Sequence, residues 1–508
     1  MGQSTEPPSG QDFAAGIDRA QVPAGGMLAG HVGDEAVLLS RFDGKFYAVG
    51  ASCTHYGGPL GEGLVADGAV RCPWHHACFD LRTGEALHAP AFAPLDRWRV
   101  EEQGDRIVVR EKLTGDAPVA PIAVPPDIAS IVIVGGGAAG FACAVELRKR
   151  GYGGRLTMLS ADADAPYDRP NLSKDYLAGT APEEWIPLRD EAFYREQRID
   201  LRLSTPVTRL DTTARTVTAG GESIAYDRLL LATGADPVAL PTPGFDADNV
   251  HLLRSLADAR ALIARARQGT RAVVIGSAFI GLEAAASLRK RGVEVEIVSE
   301  SIVPFGRVFG RAVGQFLQQL HESHGVRFHL ACKPAAFDGC KLTLDNGSQI
   351  EADFVVAGVG VRPRTALAAS GIAVADGIVV DRTLATAAPG VFAAGDVAAY
   401  PDPIDGRPVR IEHWVTAERQ GQAAARNMLG AATPFTAIPF FWTEQYGVSL
   451  RYVGHSRHWD EVRIDGDMAA RDFIVRYYRQ GAMRASLACG RDRESLEDEL
   501  ALERMAAP

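Results

Sequence analysis

One pattern occurs twice and dictates most of what this chain can become. From Ser130 it reads SIVIVGGGAAGFACAVELRKRG, and from Arg271 it reads RAVVIGSAFIGLEAAASLRKRG. Each copy is an apolar strand, a glycine turn and an amphipathic helix, and each is followed by another strand. A strand without polar alternation that runs into a helix belongs to a parallel sheet covered by helices. Two copies about 140 residues apart predict two α/β dinucleotide-binding domains. At 508 residues the chain is too long for one core, and three or four domains are expected.

The flanks have a different texture. Residues 17–112 alternate in short segments with glycine-rich turns, and WRVEEQGDRIVVRE predicts a hairpin turning near Gly104, so this block reads as small and all-β. Residues 113–129 follow as a connector with Pro118, Pro121, Pro125 and Pro126, whose fixed φ favours extended backbone. The last part, 433–508, holds FFWTEQY, RDFIVRYYR and a charged final helix, and predicts an α+β domain. Between them we assign 130–248 and 366–432 to the first dinucleotide domain and 249–365 to the second.

The all-β block carries Cys53-Thr-His55 and Cys72-Pro-Trp-His75, with Gly57, Gly58 and Gly84 nearby. Two thiolates and two imidazoles at this spacing suit a [2Fe-2S] pair, one iron held by Cys53 and Cys72, the other by His55 and His75. Neutral histidines remove negative charge relative to four thiolates and raise the cluster's potential. The competing reading is a β-domain with two buried cysteines and surface histidines. It leaves the coincidence of both pairs, the glycines and Pro73 unexplained.

In the first glycine turn, Gly135, Gly137 and Gly140 supply the tight turn, the close approach to a pyrophosphate and the close helix packing that a dinucleotide demands. The acidic partner expected for the ribose is indistinct: Ser160 and Ala161 hold its slot, and Asp162 is the nearest carboxylate. In the second turn, Gly276 and Gly281 keep the outer positions and Ala278 takes the middle one. Glu300 ends the following strand. A carboxylate there accepts from a ribose 2′-hydroxyl and repels a 2′-phosphate, so NADH is expected over NADPH, with Arg307 nearby as the complication.

CTHYGGPL and CPWHHACFDLRTGEAL resemble the two cluster-binding loops of the Rieske family, with Cys53, His55, Cys72 and His75 at the ligand positions. The resemblance implies the ferredoxin branch, because Gly58 and Trp74 stand where the respiratory branch has a disulfide. His76 occupies a usual glycine position; it either adds local positive charge or is a surface histidine without a role. Cys78 reads as a packed thiol.

PYDRPNLSKDYL, LLLATGADP and VFAAGDVA resemble the flavin-binding segments of apoptosis-inducing-factor-like and ferredoxin-reductase flavoproteins, which share a glutathione-reductase-like multidomain fold. That resemblance implies FAD, with Arg169 and Lys174 beside the isoalloxazine, Thr233 and Gly234 closing the adenine end, and Asp396 on the ribityl chain or phosphate. It further implies that Glu283 orients the nicotinamide carboxamide, so Lys174 and Glu283 are the expected positioning residues of the reaction. Gly360 and Gly395 join the cofactor-binding set. Glu412, His413, Trp414, Phe441 and Trp442 are expected along the flavin's other face, with core packing as the alternative.

Some chemistry is disfavoured. The chain has 53 Lys+Arg against 63 Asp+Glu, a net charge of -10, which is unfavourable for sequence-independent nucleic-acid binding. No C-x-x-C or C-x-x-x-x-C pair lies near either turn, and Cys143 stands alone in the first helix, so disulfide reduction is not expected. Seven scattered cysteines indicate a reducing, cytoplasmic setting. The N-terminus lacks signal-peptide order and a myristoylation pattern, and no apolar run is long enough to insert in a membrane.

The expectation is an oxidoreductase, monomeric or homodimeric, that carries electrons from NADH through FAD to its own cluster and on to an unknown protein or small-molecule acceptor. The proline-bearing connector suggests that the cluster domain swings as a tethered carrier. The alternatives are a redox-sensing interaction protein whose assembly follows flavin reduction by NADH, and a reductase component serving a separate oxygenase.

Overall fold

The computed structural model describes residues 10–115 and 119–506; the expectations placed on the first nine residues and on Pro118 lie outside the described residues. The first block is a nearly closed β-barrel. Its larger sheet runs in the order Gln11–Asp12, Met27–Val32, Glu35–Phe42, Lys45–Gly50, Arg97–Gln103, Arg106–Lys112, Ile17–Asp18. The hairpin expected around Gly104 is there, with Gln103 paired to Arg106. A four-stranded antiparallel sheet, Leu64–Ala66 to Ala86–His88, carries the Cys72–His75 loop between its second and third strands. The strand Gln11–Asp12, upstream of the expected start, pairs in parallel with the barrel's edge.

The repeated unit gives two parallel sheets of five strands each. The first is ordered Ile199–Arg202, Arg155–Leu159, Ser130–Val134, Arg228–Leu231, Val391–Ala393. The second is ordered Val250–His251, Phe354–Ala357, Arg271–Ile275, Glu294–Ser299, Arg327–Leu330. Each is interrupted along the chain by a three-stranded antiparallel meander, at 207–225 and 334–351. The strand Val391–Ala393 returns the chain to the first sheet beside Leu229–Leu231. Every residue of Ser130–Val134 is buried, as a strand sandwiched between two layers must be.

The outer glycines do the same work in both units. Gly135 has φ +117° and Gly276 φ +105°, and at each a Cβ would overlap a carbonyl of the neighbouring strand's loop. A Cβ on Gly140 or Gly281 would overlap the carbonyl of Gly135 or Gly276, so each helix can sit against its own turn only as glycine.

Helix Trp414–Met428 lies almost wholly buried against helix Ala138–Lys149; a Cβ at Gly421 would overlap the backbone of Ala139, so the axes approach closely there. The C-terminal domain is a five-stranded antiparallel sheet, Phe440–Gln445 to Ala482–Cys489, backed by helix Asp492–Ala506.

The connector forms neither strand nor helix among its described residues, yet it is not loose. Ile122 N donates to Arg150 O at 3.1 Å, and Ile122 and Val124 pack on the first sheet's core. The barrel is seated on the rest of the chain: Glu85 pairs with Lys149 at 2.8 Å and Arg150 at 2.7 Å, and Phe92 meets Phe141 edge to face. In place of the swinging carrier expected from the prolines, the structure has a docked domain. The reason is local: the barrel's polar rim finds cations at the C-terminal end of the first dinucleotide helix, where such side chains gather.

Candidate functional site

The two glycine turns open onto one cavity of about 1190 Å³. That exceeds the usual range for a small-ligand pocket and is of a size for a dinucleotide with room beside it. Gly135 and Gly137 form its floor at the first turn, Arg169, Lys174, Thr233, Gly234, Gly395 and Asp396 line it from the same half, and Gly360 lines it from the second. From the second half come Ala278, Phe279 and Glu283. Glu412, His413, Trp414, Phe441 and Trp442 close the remaining wall. Ser160, Ala161 and Asp162 border it where the ribose partner was expected. Gly140, Gly276 and Gly281 do not line the cavity; they act one layer back, by the close approaches described above. Glu300 does not line it either. It is 59% exposed beyond its strand and lies 3.5 Å from Lys333.

At the centre of the cavity wall, Glu283 is buried and triply bonded. It takes Lys174 Nζ at 2.8 Å and Thr443 Oγ1 at 2.7 Å, and it accepts from Ser173 Oγ. Helix Phe279–Lys290 presents Glu283, the segment Arg169–Ser173 ends against Lys174, and strand Phe440–Gln445 brings Thr443, so three parts of the chain converge on one carboxylate. Asp396 pairs with Arg254 at 2.6 Å. Burial holds the His413 imidazole down at about 3 and raises the Glu412 carboxyl. Among the described residues Arg169 Nε and His413 Nδ1 are buried without a partner, polar atoms on a cavity wall that a polar ligand would satisfy. These residues fit a flavin dinucleotide together with a pyridine nucleotide.

The barrel places its candidate ligands against this wall. Cys53 and Cys72 are both buried and face one another: their mutual hydrogen bond raises the Cys53 thiol and lowers that of Cys72. His55 and His75 have ring centroids 5.0 Å apart, edge to face. Burial lowers both imidazoles, His55 to about 4, and His55 Nδ1 has no hydrogen-bond partner among the described residues. Neutral imidazoles with a free nitrogen, beside a thiol pair, are the donor set two unlike irons require. Among the described residues no three His, Cys, Asp or Glu gather tightly enough to hold a single metal ion. A two-iron cluster needs only two protein ligands on each iron. Gly58 packs into the site, where a Cβ would come within 2.8 Å of Cys72 Sγ.

Several contributing residues went unnoticed in the sequence. Unseen too was the contact of the His75 ring, 4.3 Å from that of Trp442, which lines the cavity. Tyr56 stacks on His55 at 3.9 Å and donates its hydroxyl to Asp168, the residue before Arg169. Burial raises Asp168 to about 6 and Glu418 further above the carboxylate range. Asp168 and Thr443 sit inside motifs already singled out, PYDRP and FFWTEQY, but nothing in those motifs marks them. His76 is no surface histidine: it is 1% exposed and held by Glu499. Left-handed backbone at position 76 turns its side chain inward.

Fold and site together define an oxidoreductase that binds FAD and a pyridine nucleotide and carries a Rieske-type iron–sulfur domain ahead of them. The chain belongs to the pyridine nucleotide-disulphide oxidoreductase family, which residues 129–421 match. Residues 15–99 match the Rieske [2Fe-2S] domain and residues 440–507 the reductase C-terminal family. Apoptosis-inducing factor 3 of Homo sapiens is 35% identical over 93% of this chain and 81% of its own length. Rhodocoxin reductase of Rhodococcus erythropolis is 39% identical over 68% of this chain and 83% of its own. A solved structure, the covalent putidaredoxin reductase–putidaredoxin complex, superposes with a TM-score of 0.72 and 32% identity, covering 74% of this chain and 93% of that one. The activity of this architecture is NADH- and FAD-dependent electron transfer through the fused Rieske domain to an external acceptor. Despite the family's title, all seven cysteines are free and no pair faces the cavity. Among the described residues no helix is long and apolar enough to cross a membrane.

Proposed function

We propose that electrons pass from the nicotinamide–flavin cavity to the iron–sulfur site within one chain, and that Cys53, His55, Cys72 and His75 are the cluster ligands. The observation that carries this reading is the contact of His75 with Trp442: a candidate ligand ring at 4.3 Å from an indole on the cavity wall. Bound FAD supplies the exchange between a hydride donor and one-electron carriers, and a bound [2Fe-2S] cluster supplies one-electron carriage.

The chain's own residues bind and orient. Gly135 and Gly137 leave backbone open to a pyrophosphate at the helix start. Glu283 fixes the Lys174 ammonium at 2.8 Å, so that one cation stands at a set place on the wall and cannot swing into the cavity. Phe279 and Ala278 present the second turn to the nicotinamide nucleotide. Trp442 and Tyr56 exclude water between the cavity and the candidate ligand loops. Blocks 17–112, 130–248 with 366–432, 249–365 and 433–508 are the working units, and seven free cysteines suit a reducing cytoplasm.

The rhodocoxin and putidaredoxin reductases are named for separate redoxin partners, and this chain instead brings an iron–sulfur domain of its own. An anaerobic titration with NADH, followed by flavin absorbance and by cluster electron paramagnetic resonance (EPR), tests the reading. Both centres reduced by NADH alone supports it. A flavin that bleaches while the cluster stays oxidised refutes it.

A further inference from the structure

The seam between the cluster loop and the C-terminal domain contains charge that the transfer itself does not use. His76, one residue past the candidate ligand His75, has φ +58°, a left-handed backbone that favours glycine. The side chain that this position tolerates only at a conformational cost is 1% exposed and stacks on Phe440 at 4.1 Å. Its Nδ1 lies 2.7 Å from Glu499 Oε2, on the final helix more than 400 residues away in sequence. Arg419 then closes the arrangement. Its guanidinium is 2.8 Å from Glu499 Oε1 and donates to His76 O at 3.0 Å, so it holds both the carboxylate and the loop's backbone. Arg451 donates to Trp74 O at 3.0 Å on the loop's other side.

A carboxylate and a guanidinium removed from water are costly and are tolerated only when fully paired. Here the pairing is completed across the seam: undocking the barrel strips His76 and its carbonyl from Glu499 and Arg419. Such a buried polar network gives orientation more than adhesion. We propose that His76, Glu499 and Arg419 form a latch that fixes the Cys72–His75 loop against Trp442, and that they are positioning residues for electron transfer from the flavin cavity to the cluster. The proposal rests on the intrachain route argued above and deepens it. None of the three lines the cavity, so hydride transfer from NADH does not depend on them.

The left-handed backbone supplies a clean test, because His76→Gly removes the side chain while keeping a conformation glycine prefers. In stopped flow with the holoenzyme, His76→Gly should reduce its flavin with NADH at the parental rate and retain the cluster's EPR signal. Cluster reduction should slow by roughly 10-fold or more, the order of loss a misplaced reacting pair shows. Hydrogen–deuterium exchange should rise in the peptides covering 72–78 and 492–506. His76→Asn tolerates the left-handed backbone and can donate to Glu499, so it should recover most of the rate. Glu499→Gln, which keeps the shape and removes the charge, should slow the same step, and it decides the matter if His76→Gly fails to hold its cluster. Parental cluster-reduction rates and parental exchange in both variants overturn the latch. If the unmodified enzyme never reduces its cluster with NADH, the intrachain route fails, while the exchange data still judge the latch.

Discussion

Replacing Glu283 with Gln isolates the arrangement at the cavity wall. Glu283 is held by Lys174 Nζ at 2.8 Å and Thr443 Oγ1 at 2.7 Å, and its side chain is 5% exposed while that of Lys174 is 15% exposed. Removing one member of a buried pair costs about 3 to 5 kcal/mol, chiefly because the other charge stays behind unpaired. Lys174 keeps some contact with water and the glutamine amide still accepts one hydroxyl, so the low end, about 3 kcal/mol, is expected. Urea unfolding of the holoenzyme followed by flavin fluorescence reads this cost. Lys174→Met combined with Glu283→Gln removes both charges and should recover at least about 1.5 kcal/mol relative to the sum of the single changes. For NADH oxidation, loss of the fixed ammonium should lower kcat/KM by roughly 10-fold or more, the order of loss a displaced positioning group shows. A stability change below about 1 kcal/mol, or strictly additive single changes, would show that the pair is solvated and that the reasoning is wrong.

Further predictions concern packing and pH. Gly58→Ala places a methyl group 2.8 Å from Cys72 Sγ and 3.2 Å from the Trp74 ring, so iron and sulfide analysis should show at least half the cluster lost with flavin content unchanged. Gly421→Ala forces apart the helices Ala138–Lys149 and Trp414–Met428, and should destabilise the flavin domain by about 1 to 3 kcal/mol in urea. Burial depresses His321 to about 4 and His413 to about 3, each below the ordinary 6.5. The unfolded chain therefore binds protons that the folded one refuses: stability is complete above pH 6.5 and is lost as pH falls toward 4, by up to about 2.7 kcal/mol per pH unit for the two together. His321→Asn should remove about half of that slope, and an unchanged slope would show His321 to be solvated.

What the sequence discloses here is whatever is repeated or locally spaced. The strand–glycine–helix units announced both parallel sheets because Gly135/Gly140 and Gly276/Gly281 act on their own turns, within a few residues. The Cys53/His55 and Cys72/His75 loops were readable for the same reason. Docking was not. His76 meets Glu499, Tyr56 meets Asp168, and His75 meets Trp442 across more than a hundred residues each, and such contacts leave no period in the chain. The proline connector even misdirected the reading, because stiffness of a linker says nothing about the affinity of the surfaces it joins. Glu300 shows the converse: its strand-end position was legible, but the side chain points to Lys333 and solvent, outside the cavity.

The central claim is that the electron route is internal to one chain. Its most direct test is the rate of cluster reduction after mixing the anaerobic holoenzyme with one equivalent of NADH, measured by rapid-freeze EPR over a hundredfold range of protein concentration. An internal route predicts one first-order rate constant at every dilution once the flavin is reduced. A rate that falls in proportion to concentration would mean that electrons pass between molecules, and the seating of His75 on Trp442 would then have no part in the transfer.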